Sequence, residues 1–225
     1  MAKRDYISEI TAKRKRLRGR GARAIQFDDR VDDMIQISRF LEATPKSEMP
    51  AKAELVKYLP IGWVACIEGY FRLVYRDLID HGPPFRENSA NLKDVRIDLD
   101  HVVAMQAGQV SLGEFIAHLL PVNGLDDINR AMSTLIGGDY YDQLKHVKTD
   151  LFEDNSSLED LDLSGGIFES IEFLFAQRHL FAHELNAKLR VHLRDTFHHS
   201  RAASILIEHN EALLKVLGIE KGKGK

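Results

Sequence analysis

The sequence predicts an all-α protein, and three observations carry that expectation. Apolar residues recur at steps of three and four along most of the 225 positions, the period of one helix face. Glycine and proline fall mostly between these periodic stretches, where they end helices. Only residues 94–100, DVRIDLD, alternate as a short strand would, with Val95, Ile97 and Leu99 set against Asp and Arg, and no partner strand stands out.

The elements follow in order. Residues 1–23 hold Lys3, Arg4, Lys13, Arg14, Lys15, Arg16, Arg18, Arg20 and Arg23 against Asp5 and Glu9, a net +7 that leaves −10 on the rest of a chain whose total is −3. The run KRKRLRGRGAR has two glycines and little apolar content, which predicts a flexible, extended arm able to lie along a phosphate backbone. Arg14, Lys15, Arg16, Arg18 and Arg20 are its candidate nucleic-acid contacts. A solubility tail, or an arm docked on the protein's own acidic body, are the other readings of the same charge.

In QFDDRVDDMIQISRFLEA, residues 26–43, Phe27, Val31, Met34, Ile35, Ile37, Phe40 and Leu41 lie near one face of a helix that ends before Pro45. A long helix runs through AELVKYLPIGWVACIEGYFRLVYRDLIDHG, interrupted or kinked at Pro60 and stopped by GPPF at 82–85. Shorter helices follow in VVAMQ, in SLGEFIAHLL with Ser111 as N-cap, in GLDDINRAMSTLIGG and in DYYDQLKHV. Residues 83–165 thus read as an elaboration between two long core helix pairs. SGGIFESIEFLFAQRHLFAHEL and a last helix over about 191–217 complete a domain spanning 24–218, and 219–225 is a flexible tail.

Composition narrows the class. With 44% hydrophobic residues the chain can bury a sizeable core. The single cysteine, Cys66, permits no intrachain disulfide and reads as core filling in a reducing compartment. No apolar run reaches the ~18–20 residues that cross a bilayer, and the first residues lack the apolar core of a signal peptide. A cytoplasmic protein without membrane contact is expected.

Chemistry concentrates in FLFAQRHLFAHEL, residues 173–185, where an oily helix carries Arg178, His179, His183 and Glu184. His179 and His183 are four apart and share a face; Arg178 and His183 are five apart, about 140° around the helix, within reach of a long guanidinium. An imidazole moves protons near neutrality, and a guanidinium keeps its charge and grips two phosphate oxygens. Together they can break an RNA phosphodiester without a metal.

Arg178-His179-Leu180-Phe181-Ala182-His183 resembles the signature of the HEPN superfamily: arginine, a polar residue, three more residues, then histidine. LPIGWVACIEGYFRLVYRDLID likewise resembles the first core helix of many HEPN proteins, with Glu68 among aromatic and aliphatic residues. The resemblance covers roughly 50–80 and 165–217. It implies a four-helix bundle with a helical insertion, assembled as a homodimer with a composite site. It also implies a metal-independent endoribonuclease, acting as a toxin or phage-defence effector and countered by an antitoxin or inhibitor protein. A catalytically silent module that binds RNA or a protein partner is the alternative within the same family. Arg178 and His183 then carry catalysis, His179 assists, and Glu68 orients Arg178. Glu68 can equally pair with Arg72 one turn on, a contact that contributes ~0.3–0.5 kcal/mol and needs no functional reason.

No cofactor or metal is expected. His179 and His183 have zinc-ligand spacing, but the glutamate follows the second histidine, so the zinc-protease pattern is absent, and His192, His198 and His199 read as a polar face. Trp63, Tyr70, Phe71 and Tyr75 fall at helical spacing and read as core or dimer interface rather than base-stacking groups.

Overall fold

The computed structural model describes residues 4–17, 23–45, 49–93, 95–149, 164–183 and 193–219. Among these residues the chain is all-helical, with no strand. The helices are α1 (Tyr6–Leu17), α2 (Arg23–Ala43), α3 (Met49–Val56), α4 (Tyr58–His81), α5 (Phe85–Asn88), α6 (Leu99–Gln106), α7 (Leu112–Leu119), α8 (Leu125–Ile136), α9 (Tyr140–His146), α10 (Ser164–His183) and α11 (Leu193–Val216), with one 3-10 turn at Ser89–Asn91.

α4 is the centre because one broad face of it is apolar: Trp63, Val64, Ile67, Tyr70, Phe71, Val74, Tyr75, Leu78 and Ile79 are all 2% exposed or less. α2, α4, α10 and α11 pack in a closed ring of four helices, with α4 touching the other three, and α7 and α8 cover a further side of α4. The chain breaks at Lys57, and Pro60 sits in the first turn of α4, where its missing N–H leaves no helical bond unmade. Gly82, at φ +110°, ends the helix before the two prolines.

α7 begins as the sequence predicts. Ser111 Oγ accepts from the Glu114 amide at 3.0 Å, and Glu114 Oε2 accepts from the Ser111 amide at 2.8 Å. Asp80 of α4 then joins the two helices, accepting from Ser111 Oγ at 2.6 Å and from the Gly113 amide at 2.9 Å. Gly113 is required for this approach: a Cβ there would stand 2.5 Å from the Arg76 carbonyl oxygen.

Two expectations are corrected, for the arm and for the buried face of α2, and two open readings are decided. The extended arm is a helix over 6–17, because Tyr6, Ile7 and Ile10 share a face that packs with Val110 and Phe115 in a second, smaller core beside α7. Arg23 is no part of it. Its guanidinium is fully buried at the start of α2, donating to both carboxylate oxygens of Glu211 at 2.7 and 3.1 Å and to Asp77 at 2.8 Å. Tyr70, Asn210 and Tyr140 extend that polar chain across α4, α11 and α9. On α2 the buried face is Phe27, Met34, Ser38 and Leu41, whereas Ile37 and Phe40 point outward, 47% and 69% exposed. Residues 95–98 form neither helix nor strand, and α6 starts at Leu99, so the described part of the alternating segment is a connection that runs into a helix. Trp63, Tyr70, Phe71 and Tyr75 are buried in the core of the single chain, the first of the two readings given for them. Cys66 is buried, as expected of a core-filling thiol.

Candidate functional site

α10 buries Ile167, Ile171, Leu174 and Phe175 at three- and four-residue steps, so the same helical twist carries Arg178 to the edge of its seam with α4. Glu68 meets it there from the middle of α4. Arg178 Nη2 donates to Glu68 Oε1 at 3.1 Å, with the two side chains 30% and 23% exposed. The pair is held by packing yet open to solvent. A guanidinium has five N–H donors, so one bond to Glu68 orients it and leaves the others for an incoming anion.

Arg72 does not compete for Glu68. Its Nη1 donates to the carbonyls of Ala117, His118 and Leu120 at 2.7, 3.2 and 3.1 Å, satisfying the last turn of α7. The four-residue pairing that helix spacing suggests is therefore not made, because a tertiary contact takes the arginine.

His179 is exposed on α10, next to Arg178. His183 is the last residue of that helix, and its side chain lies outside the described residues. His199 of α11 stacks on Phe173 with ring centroids 4.4 Å apart, joining α11 to α10. Among the described residues no three His, Cys, Asp or Glu side chains group as metal ligands, and no helix is long and apolar enough to cross a membrane. His192 and His198 fall outside that description.

The predicted basic contacts separate. Arg14 grips the carboxylate of Glu114 through Nε and Nη2, tying α1 to α7. Glu9 completes the tie: Arg4 and then His118 hold its carboxyl down at about 2. Lys15 is exposed on α1; the Arg16 side chain, Arg18 and Arg20 lie outside the described residues. Lys13, counted in the arm's charge but not among its candidate contacts, stands beside Arg14 and meets Arg72 and Arg76 of α4. The four-residue step from Glu68 to Arg72 to Arg76 was the available signal.

Comparison with protein-family models, with curated proteins and with solved structures finds no match for this chain.

Proposed function

We propose that this chain is a metal-independent endoribonuclease of HEPN type, in which Arg178 and His183 work on the phosphodiester of an RNA strand. The observation that supports it is the Glu68 oxygen 3.1 Å from Arg178 Nη2, at a half-open seam, with His179 and His183 following on the same helix. Glu68 fixes the direction of the guanidinium, which grips non-bridging phosphate oxygens and offsets charge that develops on phosphorus. One His183 takes the 2′-hydroxyl proton. The freed oxygen attacks phosphorus, the bond to the 5′ oxygen breaks, and a second histidine returns a proton to that oxygen. A two-fold homodimer supplies the second histidine as the partner copy of His183, so a single cleft holds both base and acid.

The test is cleavage of a mixed RNA pool in EDTA, with mass spectrometry of the ends. The expected products carry 2′,3′-cyclic phosphate and 5′-hydroxyl, DNA survives, and His183→Ala abolishes the reaction. A 5′-phosphate with a 3′-hydroxyl means attack by water and overturns the mechanism. RNA that is bound but left intact replaces the enzyme with a silent binding module.

A further inference from the structure

α1, α4 and α7 enclose a solvent-open pocket of about 80 Å³. Its polar wall is Lys13, Arg14, Arg72, Arg76, Glu114 and His118, four permanent cations facing one carboxylate. That carboxylate is already committed to Arg14 and to the Ser111 amide. Lys13 has no hydrogen-bond or ion-pair partner among the described residues. Arg72 uses only Nη1, and Arg76 uses Nε and Nη2 on Asp77 Oδ1, so Arg72 Nε and Nη2, Arg76 Nη1 and the whole Lys13 ammonium remain available. Desolvation, then the charges of Arg72 and Arg76, lower the Lys13 ammonium from its ordinary value. Asp77 answers Arg76 and the Glu68 charge acts on Arg72, but among the described residues no carboxylate pairs with Lys13, so the three cations still repel one another there and an anion among them lowers that cost.

Size and donor number select the anion. At ~10–15 Å³ per water-sized group the pocket takes about five to eight such groups, which admits a phosphate and refuses a nucleoside. Donors on three separate side chains exceed what two carboxylate oxygens accept and suit a group with more oxygens.

We propose that Lys13, Arg72 and Arg76 form a phosphate-binding subsite. Glu68, Arg72 and Arg76 follow one another at single-turn steps of about 6 Å along one face of α4, so the two arginines of the pocket stand about one and two turns from the Glu68 that meets Arg178. A backbone phosphate of the RNA strand held at Arg178 is therefore the favoured source, and this assignment of source, though not the site itself, rests on the ribonuclease reading. Free inorganic phosphate is the other source of the same chemistry.

The test titrates inorganic phosphate into the full-length protein while amide and arginine side-chain resonances are followed by NMR. In parallel, a single-stranded RNA 12-mer binds the His183→Ala variant by fluorescence anisotropy at several salt concentrations. Phosphate is expected to shift signals of α1, α4 and α7 saturably. Lys13→Gln weakens phosphate and RNA by about five- to tenfold, lowers the salt slope for RNA by about one, and Lys13→Arg restores both. Lys13 keeps an exposed surface at the pocket mouth and makes no hydrogen bond or ion pair among the described residues, so these variants keep the fold, and Arg76→Gln gives an independent second reading. Absence of saturable phosphate shifts in the wild type overturns the site. Phosphate binding with RNA affinity indifferent to Lys13→Gln supports the subsite with free phosphate as its ligand. Phosphate and RNA binding without any cleavage retires the ribonuclease and leaves the subsite standing.

Discussion

Arg178 on α10 and Glu68 on α4, 110 positions apart, are joined by a single hydrogen bond of 3.1 Å at the edge of the helix seam. Both side chains keep about a quarter of their surface in water, so the bond contributes little to stability, about 1 kcal/mol or less. Its consequence is directional: it sets where the guanidinium points.

Glu68→Gln should therefore separate function from stability. RNA cleavage is expected to fall by about 10- to 100-fold as Arg178 loses its fixed direction. The melting midpoint should move by no more than about 2–4 °C. Arg178→Lys should not restore rate, because an ammonium keeps the charge but loses the two-pronged grip. Cleavage assays beside thermal melts check both, and a Glu68→Gln protein with full activity removes the positioning role.

Arg23→Ala should be the costly substitution. It leaves the part-buried Glu211 carboxylate without its guanidinium and strips one partner from Asp77, at about 3–5 kcal/mol. Arg23→Met with Glu211→Gln should recover part of this, since Tyr70 still finds an acceptor and no buried charge is orphaned. Urea denaturation of the two variants measures the difference.

His209 should make the protein acid-sensitive. Its imidazole is fully buried on α11, donates from Nδ1 to the Ile205 carbonyl at 2.9 Å, and has no partner at Nε2. Burial lowers its value below that of a free imidazole. The unfolded chain then binds a proton that the folded one refuses, so stability is intact above about pH 6.5 and is lost as pH falls toward the folded-state value. The slope from this one group is at most about 1.4 kcal/mol per pH unit. Urea midpoints between pH 7 and pH 5 should drop less in His209→Leu than in the wild type.

Two helical glycines, Gly113 at the α4–α7 contact and Gly69 in open space on α4, should respond in opposite directions. Gly113→Ala drives a methyl to 2.5 Å from the Arg76 carbonyl and 2.7 Å from the Asp80 carboxyl, forcing α7 off α4 at about 1–3 kcal/mol. Gly69→Ala has nothing within 4 Å and sits inside α4, so it should stabilise by about 0.5–1 kcal/mol through helix propensity. Calorimetric midpoints decide both signs.

Much of the fold was legible because it depends on local signals. Helical periodicity, Ser111 before Glu114, and the Gly82-Pro83-Pro84 stop each act within a few residues, and the helices begin and end close to where these marks stand. The Arg178-His179 neighbourhood was legible too, since ionisable groups interrupt an otherwise apolar run. The partner of Glu68 was legible only through the family resemblance: on charge alone Arg72 and Arg178 were both available, and the placement of α7 assigned Arg72 to carbonyls and left Glu68 to α10.

The sequence by itself determined an all-helical chain, the ends of those helices that carry a local cap or stop, the buried character of α4 and the cluster that begins at Arg178, since these follow from residue type and spacing within single segments. Only the tertiary structure decided the fate of the basic N-terminus. The same composition that reads as a solvated arm contains Tyr6, Ile7 and Ile10 on one side, and Val110 and Phe115 provide a surface on which burying them outweighs staying extended. That docking turned Lys13 toward Arg72 and Arg76 and placed Arg14 on Glu114, 100 residues away. Charge pattern is a property of the chain. Which charges meet depends on distances that exist only once the helices have packed.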